Sequence, residues 1–208
     1  MTQFDRTPLP LAARVGYTVW MLIWVAVILA EQGPQNFVWL CNVAKFLILY
    51  SVWTGNRLLL SSQAGTFVLV GAVWALDLLV ALPGRESLTG FTDYMFNPEL
   101  ALAARVASLY HVFVPLFLLW VLTRTGYDRR GWRLQCAIGA CAVVAAWLVT
   151  EPHRNINWVH RPFGMDQPPL AEPQWVAVLV VALPLLIYLP GHWLVQRLLR
   201  ALGADGAR

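Results

Sequence analysis

Long apolar runs alternate with short polar segments along the whole chain, and this alternation predicts membrane-spanning helices. A helix needs about 20 mostly apolar residues to cross roughly 30 Å of hydrocarbon. Six runs approach that length, at 13–30, 36–53, 65–83, 101–123, 134–149 and 175–198. Glycine, proline and charged residues interrupt the segments between them. The pattern therefore predicts an all-α polytopic membrane protein, a single domain over residues 1–208 with six transmembrane helices.

Composition agrees with this prediction. Of the 208 residues, 59% are hydrophobic and 12% are charged, whereas soluble proteins average about 45–50% and about 25%. The net charge of +4 would suit a nucleic-acid partner in a soluble chain, but here the basic residues gather in particular loops. We therefore exclude nucleic acid. The cysteines show no CxxC spacing, and no HExxH or similar motif is present, so we expect no disulfide framework, metal or cofactor; they are Cys41, Cys136 and Cys141.

The distribution of basic residues predicts the orientation of the chain. Cytoplasmic loops of membrane proteins carry an excess of Lys and Arg. One side of the predicted bundle has Arg6, Arg14, Arg57, Arg124, Arg129, Arg130, Arg133, Arg197, Arg200 and Arg208. The other side has Arg85, Arg105, Arg154 and Arg161. We therefore expect both termini in the cytoplasm and a multi-pass protein of the cell membrane, in bacteria the inner membrane.

Three ionisable residues stand inside apolar runs, where a charge is costly and usually faces the bundle interior or a wet cavity. They are Lys45, Asp77 and His111. At about 1.5 Å of rise per helical residue, they should share one layer of the outer half with Cys41, Asn42 and Ser108. An ion pair between Lys45 and Asp77, completed by Asn42, is the least costly way to hold both charges there.

Prolines inside two runs predict distorted helices. A helical proline cannot donate to the carbonyl four residues earlier, which for Pro115 is the carbonyl of His111. We therefore expect a kink at the histidine. Pro184 and Pro190 should distort the last span in the same way, and transporters use such broken helices to coordinate substrates.

The buried layer allows a catalytic and a structural interpretation. In the catalytic one, His111 is the general base, Cys41 or Ser108 the nucleophile, and Asp77 the orienting carboxylate, while Lys45 and Asn42 stabilise developing negative charge. In the structural one, the Lys45–Asp77 pair fixes helix order and the remaining polar side chains bond within the core. A catalytic histidine needs a nucleophile within about 2.6–3.2 Å.

Two outer loops, 91–99 and 151–162, are rich in aromatic, amide and basic side chains. Such loops could form a lid over an outward-facing pocket, with arginines binding a phosphate or carboxylate group. The predicted substrate-binding residues are Tyr94, Arg154, Asn155, Asn157 and Arg161. The alternative is an ordinary interfacial loop.

The chain resembles known membrane proteins in a few segments. Residues 40–42 (Leu-Cys-Asn), 108–111 (Ser-Leu-Tyr-His) and the six-span plan resemble the androgen-induced-gene family of lipid hydrolases, which use threonine and histidine. They also resemble integral-membrane acyltransferases that use cysteine and histidine. The resemblance implies His111 as base and, in the second family, Cys41 as nucleophile; the threonine has no counterpart. Segments 94–96 (Tyr-Met-Phe), 126–130 (Gly-Tyr-Asp-Arg-Arg) and 155–158 (Asn-Ile-Asn-Trp) are similar to tryptophan-rich bacterial multi-pass proteins without an assigned activity.

Together these features favour a membrane-embedded lipid hydrolase or acyltransferase that works on membrane lipids from the outer leaflet. One alternative is a non-enzymatic accessory subunit that docks other membrane proteins through its outer loops. Another is a small transporter, although the sequence lacks the inverted repeat that many transporters show.

Overall fold

The computed structural model describes residues 9–84 and 86–204, which form helices, turns and loops without a β-strand. Arg6, Arg85 and Arg208, which entered the charge count, lie outside these residues. The α-helices are α1 (Leu11–Gln32), α2 (Leu40–Thr54), α3 (Arg57–Ala81), α4 (Leu102–Ala107), α5 (Tyr110–Thr125), α6 (Gly131–Val149), α7 (Glu172–Leu183) and α8 (Leu189–Ala201).

Five helical stretches in the described part of the chain are long and apolar enough to cross a membrane. They are α1, α3, α4 with α5, α6, and α7 through α8. The prediction of an all-helical, multi-pass membrane protein is confirmed at this level. The second predicted span is shorter than expected, because residues Pro34–Val38 form a 3₁₀ turn and leave α2 with 15 residues, or about 22 Å of rise.

A tight connection joins α2 to α3. Gly55 ends α2 with a left-handed φ of 70°, a conformation that glycine adopts without strain. The side chain of Asn56 then caps α3 by accepting a hydrogen bond from the Leu59 amide at 3.0 Å. Helix α3 consequently starts at Arg57, eight residues before the predicted start of the third span.

Helix α3 lies at the centre of the bundle and packs against α2, α5, α6 and α8. Its contact with α5 is close, because Gly71 lies against the His111 carbonyl and the Pro115 ring. A Cβ atom at Gly71 would be 2.5 Å from the carbonyl oxygen and 2.5 Å from Pro115 Cγ. Small residues allow this approach of helix backbones in membranes. The predicted fourth span is interrupted at Ser108 and Leu109, between α4 and α5. This interruption agrees with the predicted distortion near His111.

The last span is distorted where its first proline occurs. Residues Pro184–Tyr188 form a π-helical segment between α7 and α8. The segment directs the side chain of Tyr188 against Gly139 of α6, where a Cβ atom would clash with the Tyr188 ring. The predicted effect of Pro184 is thereby confirmed, whereas Pro190 is accommodated in the first turn of α8.

Replacing Gly71 with alanine tests the close packing of α3 on α5. The new methyl group meets a backbone carbonyl that cannot move aside, so we expect a loss of stability of about 1–3 kcal/mol. Gly16→Ala in α1 is the matched control, because no atom lies within 4 Å of a Cβ there. Thermal unfolding in detergent should show a lower midpoint for Gly71→Ala only; equal midpoints for the two variants would contradict this packing.

Candidate functional site

The first turns of α2 present Cys41, Asn42 and Lys45 on one side of the helix, three and four residues apart. Two amide side chains fix this end of the helix. Asn157, from the loop after α6, accepts a hydrogen bond from the Leu40 amide at 2.9 Å. The Asn42 side chain donates to the Asn36 carbonyl at 2.6 Å. The start of α2 is therefore held in place by the outer loops.

Tyr110, which our sequence analysis did not select, joins this group to α5. Its hydroxyl donates a hydrogen bond to Cys41 Sγ at 3.0 Å and lies 3.3 Å from Asn42 Oδ1. The residue is only 4% exposed. A signal was present in the sequence, because a tyrosine hydroxyl within an apolar span needs a partner.

The ion pair predicted between Lys45 and Asp77 is wrong. Lys45 is completely buried, and its Nζ has no hydrogen-bond partner among the described residues. Nζ instead lies 3.2 Å from the ring centroid of Trp24 and 3.2 Å from that of Tyr110. The faces of aromatic rings attract a cation, by about 2 kcal/mol or more in a desolvated site. Two rings thus take the place of the expected carboxylate.

Asp77 holds an outer loop instead. Its carboxylate accepts hydrogen bonds from the Thr89 amide at 2.7 Å, the Thr92 amide at 3.0 Å and the Thr92 hydroxyl at 2.7 Å. The residue stands one turn before the end of α3, so the chain can fold back over it. Among the described residues, these donors satisfy the buried carboxylate, and no basic side chain is paired with it. The predicted role of Asp77 in orienting His111 has no support in this arrangement.

His111 lies in an aromatic stack. Its ring centroid is 4.1 Å from that of Tyr110 and 5.0 Å from that of Trp74. Nδ1 lies 3.0 Å from the Ser108 carbonyl. A carbonyl oxygen can only accept, so in the neutral ring Nδ1 carries the proton and Nε2 is the basic nitrogen. The local backbone therefore selects the tautomer that can act as a base.

Ser108 and Tyr94 lie next to this stack. The Ser108 hydroxyl donates to the Ala104 carbonyl of its own helix at 3.1 Å, which matches the structural interpretation of this serine. The Tyr94 hydroxyl reaches in from the loop before α4, accepts from Trp74 Nε1 at 3.3 Å and lies close to Ser108. Burial raises the pKa of Tyr94, so its phenol stays protonated at neutral pH.

The structure thus brings together five of the predicted catalytic residues and one of the predicted substrate-binding residues, and it separates Asp77 from them. In the part of the chain that the structure describes, no hydrogen bond connects His111 to Cys41 or to the Ser108 hydroxyl. The thiol interacts with Tyr110 instead. The catalytic roles assigned to these residues stay predictions.

The side chains of Asn155 and Asn157, predicted to bind substrate, form hydrogen bonds within the protein instead. Asn157 accepts from the Leu40 amide and donates to the Val38 carbonyl at 3.1 Å. Asn155 donates to the Arg161 carbonyl at 2.8 Å and accepts from the His160 and Arg161 amides. Both asparagines take a positive φ, 46° and 54°, which asparagine tolerates better than most residues. Their polar atoms are occupied by the protein.

The outer arginines also contact protein groups. Arg154 donates to the Gln32 carbonyl at the end of α1, and Arg161 lies 3.9 Å from Asp166 in an exposed ion pair. Phe91 stacks on Trp158 with centroids 5.4 Å apart, so the two outer loops meet as the lid hypothesis requires. Within residues 9–84 and 86–204, no three His, Cys, Asp or Glu side chains are grouped to hold a metal ion.

Comparisons with known proteins leave the family open. No protein-family model matches the chain, and searches of curated proteins and of solved structures also find no match. The resemblances drawn from the sequence therefore stay predictions, and the geometry of the site has to support any functional proposal.

Asp77→Ala tests the anchoring of the outer loop. The variant leaves three donors at Thr89 and Thr92 without their acceptor, so we expect a loss of stability of about 2–4 kcal/mol. We also expect faster hydrogen exchange at the two threonine amides. Asp166→Ala is the control, because that side chain is 97% exposed and its surface ion pair should contribute little. Unchanged exchange at both amides in Asp77→Ala would contradict the anchoring role.

Proposed function

We propose that the chain crosses the membrane six times, with α2 as the short second span and both termini in the cytoplasm. The Pro34–Val38 turn precedes the 15 residues of α2, and the two together would form the second span. Support for the orientation comes from the arginines at the ends of α1, α3, α5, α6 and α8. Arg14, Arg57, Arg124, Arg133 and Arg200 all follow the positive-inside distribution at one end of the bundle.

Within this topology, we propose an acyl-transfer enzyme that acts on lipid-like esters at the outer half of the membrane, with Cys41 as nucleophile. One observation carries the proposal. The Tyr110 hydroxyl donates to Cys41 Sγ at 3.0 Å, while Lys45 Nζ lies 3.2 Å from the centroid of the same ring. A hydrogen-bond donor and a nearby cation both stabilise negative charge on sulfur, and the thiolate is the reactive form of cysteine.

The reaction would proceed in two steps. In the first, substrate binding brings Cys41 Sγ and His111 Nε2 within hydrogen-bond reach, and the thiol passes its proton to Nε2. Sulfur attacks the ester carbonyl, and the carbon–oxygen bond breaks as the departing alcohol takes the proton from His111. In the second, water or an acceptor alcohol gives its proton to Nε2 and its oxygen attacks the thioester carbonyl. The carbon–sulfur bond then breaks, the acid or new ester is released, and His111 Nε2 returns the proton to the Cys41 sulfur. The Asn42 side chain lies beside the sulfur with its Oδ1, which is 3.6 Å from Cys41 Sγ, while its Nδ2 donates to the Asn36 carbonyl.

Access to the site favours a substrate already in the membrane. Cys41, Ser108 and His111 are each partly exposed. The residues that follow the histidine, Val112 and Phe113, are 39% and 40% exposed on the outside of the bundle. A lipid can therefore approach from the hydrocarbon side, without first crossing the polar outer loops.

A second candidate function is an accessory subunit, and a separate observation favours it. The side chains of Arg154, Asn155 and Asn157 in the outer loops are hydrogen-bonded to the protein, whereas several apolar side chains face outward. Leu88, Phe96, Phe163 and Met165 are 47–68% exposed. A fixed loop surface with exposed apolar groups is the kind that another membrane protein could cover.

The reactivity of Cys41 separates the two functions. The experiment uses a membrane-permeant thiol probe on protein in lipid nanodiscs, with Cys136 and Cys141 changed to serine so that Cys41 is the single thiol. Tyr110→Phe and Lys45→Met are the informative variants. Hydrogen bonds to charged groups contribute about 1.5–3 kcal/mol, so we expect each variant to react roughly tenfold more slowly. Thermal midpoints establish that the variants remain folded.

The enzyme proposal also predicts that His111→Gln slows labelling by an acyl-ester probe more than labelling by an alkylating probe. The reason is that the reaction with the ester needs proton transfer through His111. Equal rates in the parent and all three variants would contradict an activated thiol. A Cys41 that resists both probes in the folded parent would remove the enzyme proposal and favour the accessory subunit.

A further inference from the structure

The connection between α5 and α6 carries four arginines within ten residues. Arg124 ends α5, Arg129 and Arg130 lie in the connection, and Arg133 belongs to the first turn of α6. All four side chains are exposed. The four arginines differ in whether they are paired with a carboxylate, and this difference indicates a binding surface that is separate from the proposed enzyme site.

The connection is fixed to the body of the bundle. The Asp128 amide donates to Ser61 Oγ at 2.9 Å, and the Tyr127 hydroxyl is hydrogen-bonded to His192 Nδ1 at 2.7 Å. Gly131 packs so tightly on α3 that a Cβ atom there would be 2.8 Å from the backbone of residues 61 and 62. The backbone that carries the arginines is therefore fixed before a ligand binds, which lowers the entropy cost of binding.

Arg130 is paired with a carboxylate of the protein. Its guanidinium makes two bonds to the Asp128 carboxylate, Nε to Oδ1 at 3.1 Å and Nη2 to Oδ2 at 2.8 Å. The Arg130 amide also donates to Oδ1 at 3.0 Å. These bonds hold the pKa of Asp128 below its usual value, so the carboxylate stays ionised at neutral pH. The Asp128 carboxylate, which also interacts electrostatically with Arg57, thus engages the guanidinium donors of Arg130.

The other three arginines have no acidic partner among the described residues. The Arg124 guanidinium lies 4.9 Å from the Trp120 ring centroid, and that of Arg133 lies 5.7 Å from the Trp132 centroid. A guanidinium beside an indole keeps its N–H donors free for a bidentate acceptor such as phosphate. Tryptophan is enriched at the level of the lipid headgroups, which places these donors at the same depth.

We propose that Arg124, Arg129 and Arg133 form a site for the headgroup phosphate of an anionic phospholipid. The site has three unbalanced positive charges, two aromatic rings at the boundary of the hydrocarbon and no exposed carboxylate of its own. An anionic lipid presents the complementary phosphate at this depth, with its acyl chains beside α5 and α6. Each basic residue near such a surface contributes about 1 kcal/mol. This surface is independent of the acyl-transfer proposal.

The test compares binding of phosphatidylglycerol and phosphatidylcholine with identical acyl chains to the full chain in detergent, by native mass spectrometry. Arg124→Gln, Arg129→Gln and Arg133→Gln should each weaken phosphatidylglycerol binding about fivefold, the equivalent of about 1 kcal/mol. Phosphatidylcholine binding should change little. The double variant Asp128→Asn/Arg130→Gln keeps the net charge of the connection and should leave phosphatidylglycerol binding unchanged.

Arg200→Gln serves as a second control, since it removes one exposed charge from the same end of the bundle. An equal loss of phosphatidylglycerol binding in Arg200→Gln would overturn the site in favour of general surface charge. Equal retention of both lipids by the parent would overturn it as well. Binding of inorganic phosphate as tight as that of phosphatidylglycerol would identify a free phosphate site and overturn the lipid assignment. Thermal midpoints exclude unfolding as a cause.

Discussion

The arrangement of the buried polar residues depends on how the protein accommodates one amino group in its apolar interior. Lys45 is the single lysine of the chain, and it is fully buried without an oxygen partner among the residues that the structure describes. Trp24 of α1 and Tyr110 of α5 place their rings 3.2 Å from its Nζ. Satisfying this group therefore joins α1, α2 and α5, and it fixes the Tyr110 ring whose hydroxyl reaches Cys41.

Because aromatic rings accommodate Lys45, the carboxylate of Asp77 does not pair with it. The carboxylate instead accepts hydrogen bonds from Thr89 and Thr92 and anchors the loop from which Tyr94 extends toward His111. The buried polar residues thus form two separate structures, a thiol with its tyrosine and lysine, and a loop anchor. This separation gives Cys41 a distinctive environment, whereas Asp77 acts through the position of the loop.

The sequence was sufficient for much of the fold, because apolar length and helix-breaking residues are local properties. Five residues of the predicted polar layer lie together in the structure, namely Cys41, Asn42, Lys45, Ser108 and His111. The predicted pairing of Lys45 with Asp77 is wrong, since depth along a helix does not reveal which helix faces meet, and opposite charges are not the sole partners available to a buried lysine. The role of Tyr110 was not predicted, because it depends on contacts between α1, α2 and α5. Asn155 and Asn157 looked like ligand-binding amides, yet their left-handed backbone and local bonds become visible only in the folded loop.

The most direct test of this account is the NMR spectrum of Lys45 in protein labelled with ¹³C-lysine, which gives one set of lysine side-chain signals. Two ring faces should shift the Hε resonances strongly upfield. Trp24→Leu should move them back toward the values of free lysine, and Asp77→Asn should leave them in place. Signals already near the free values in the parent, and sensitive to Asp77→Asn, would contradict the aromatic site and restore the ion pair.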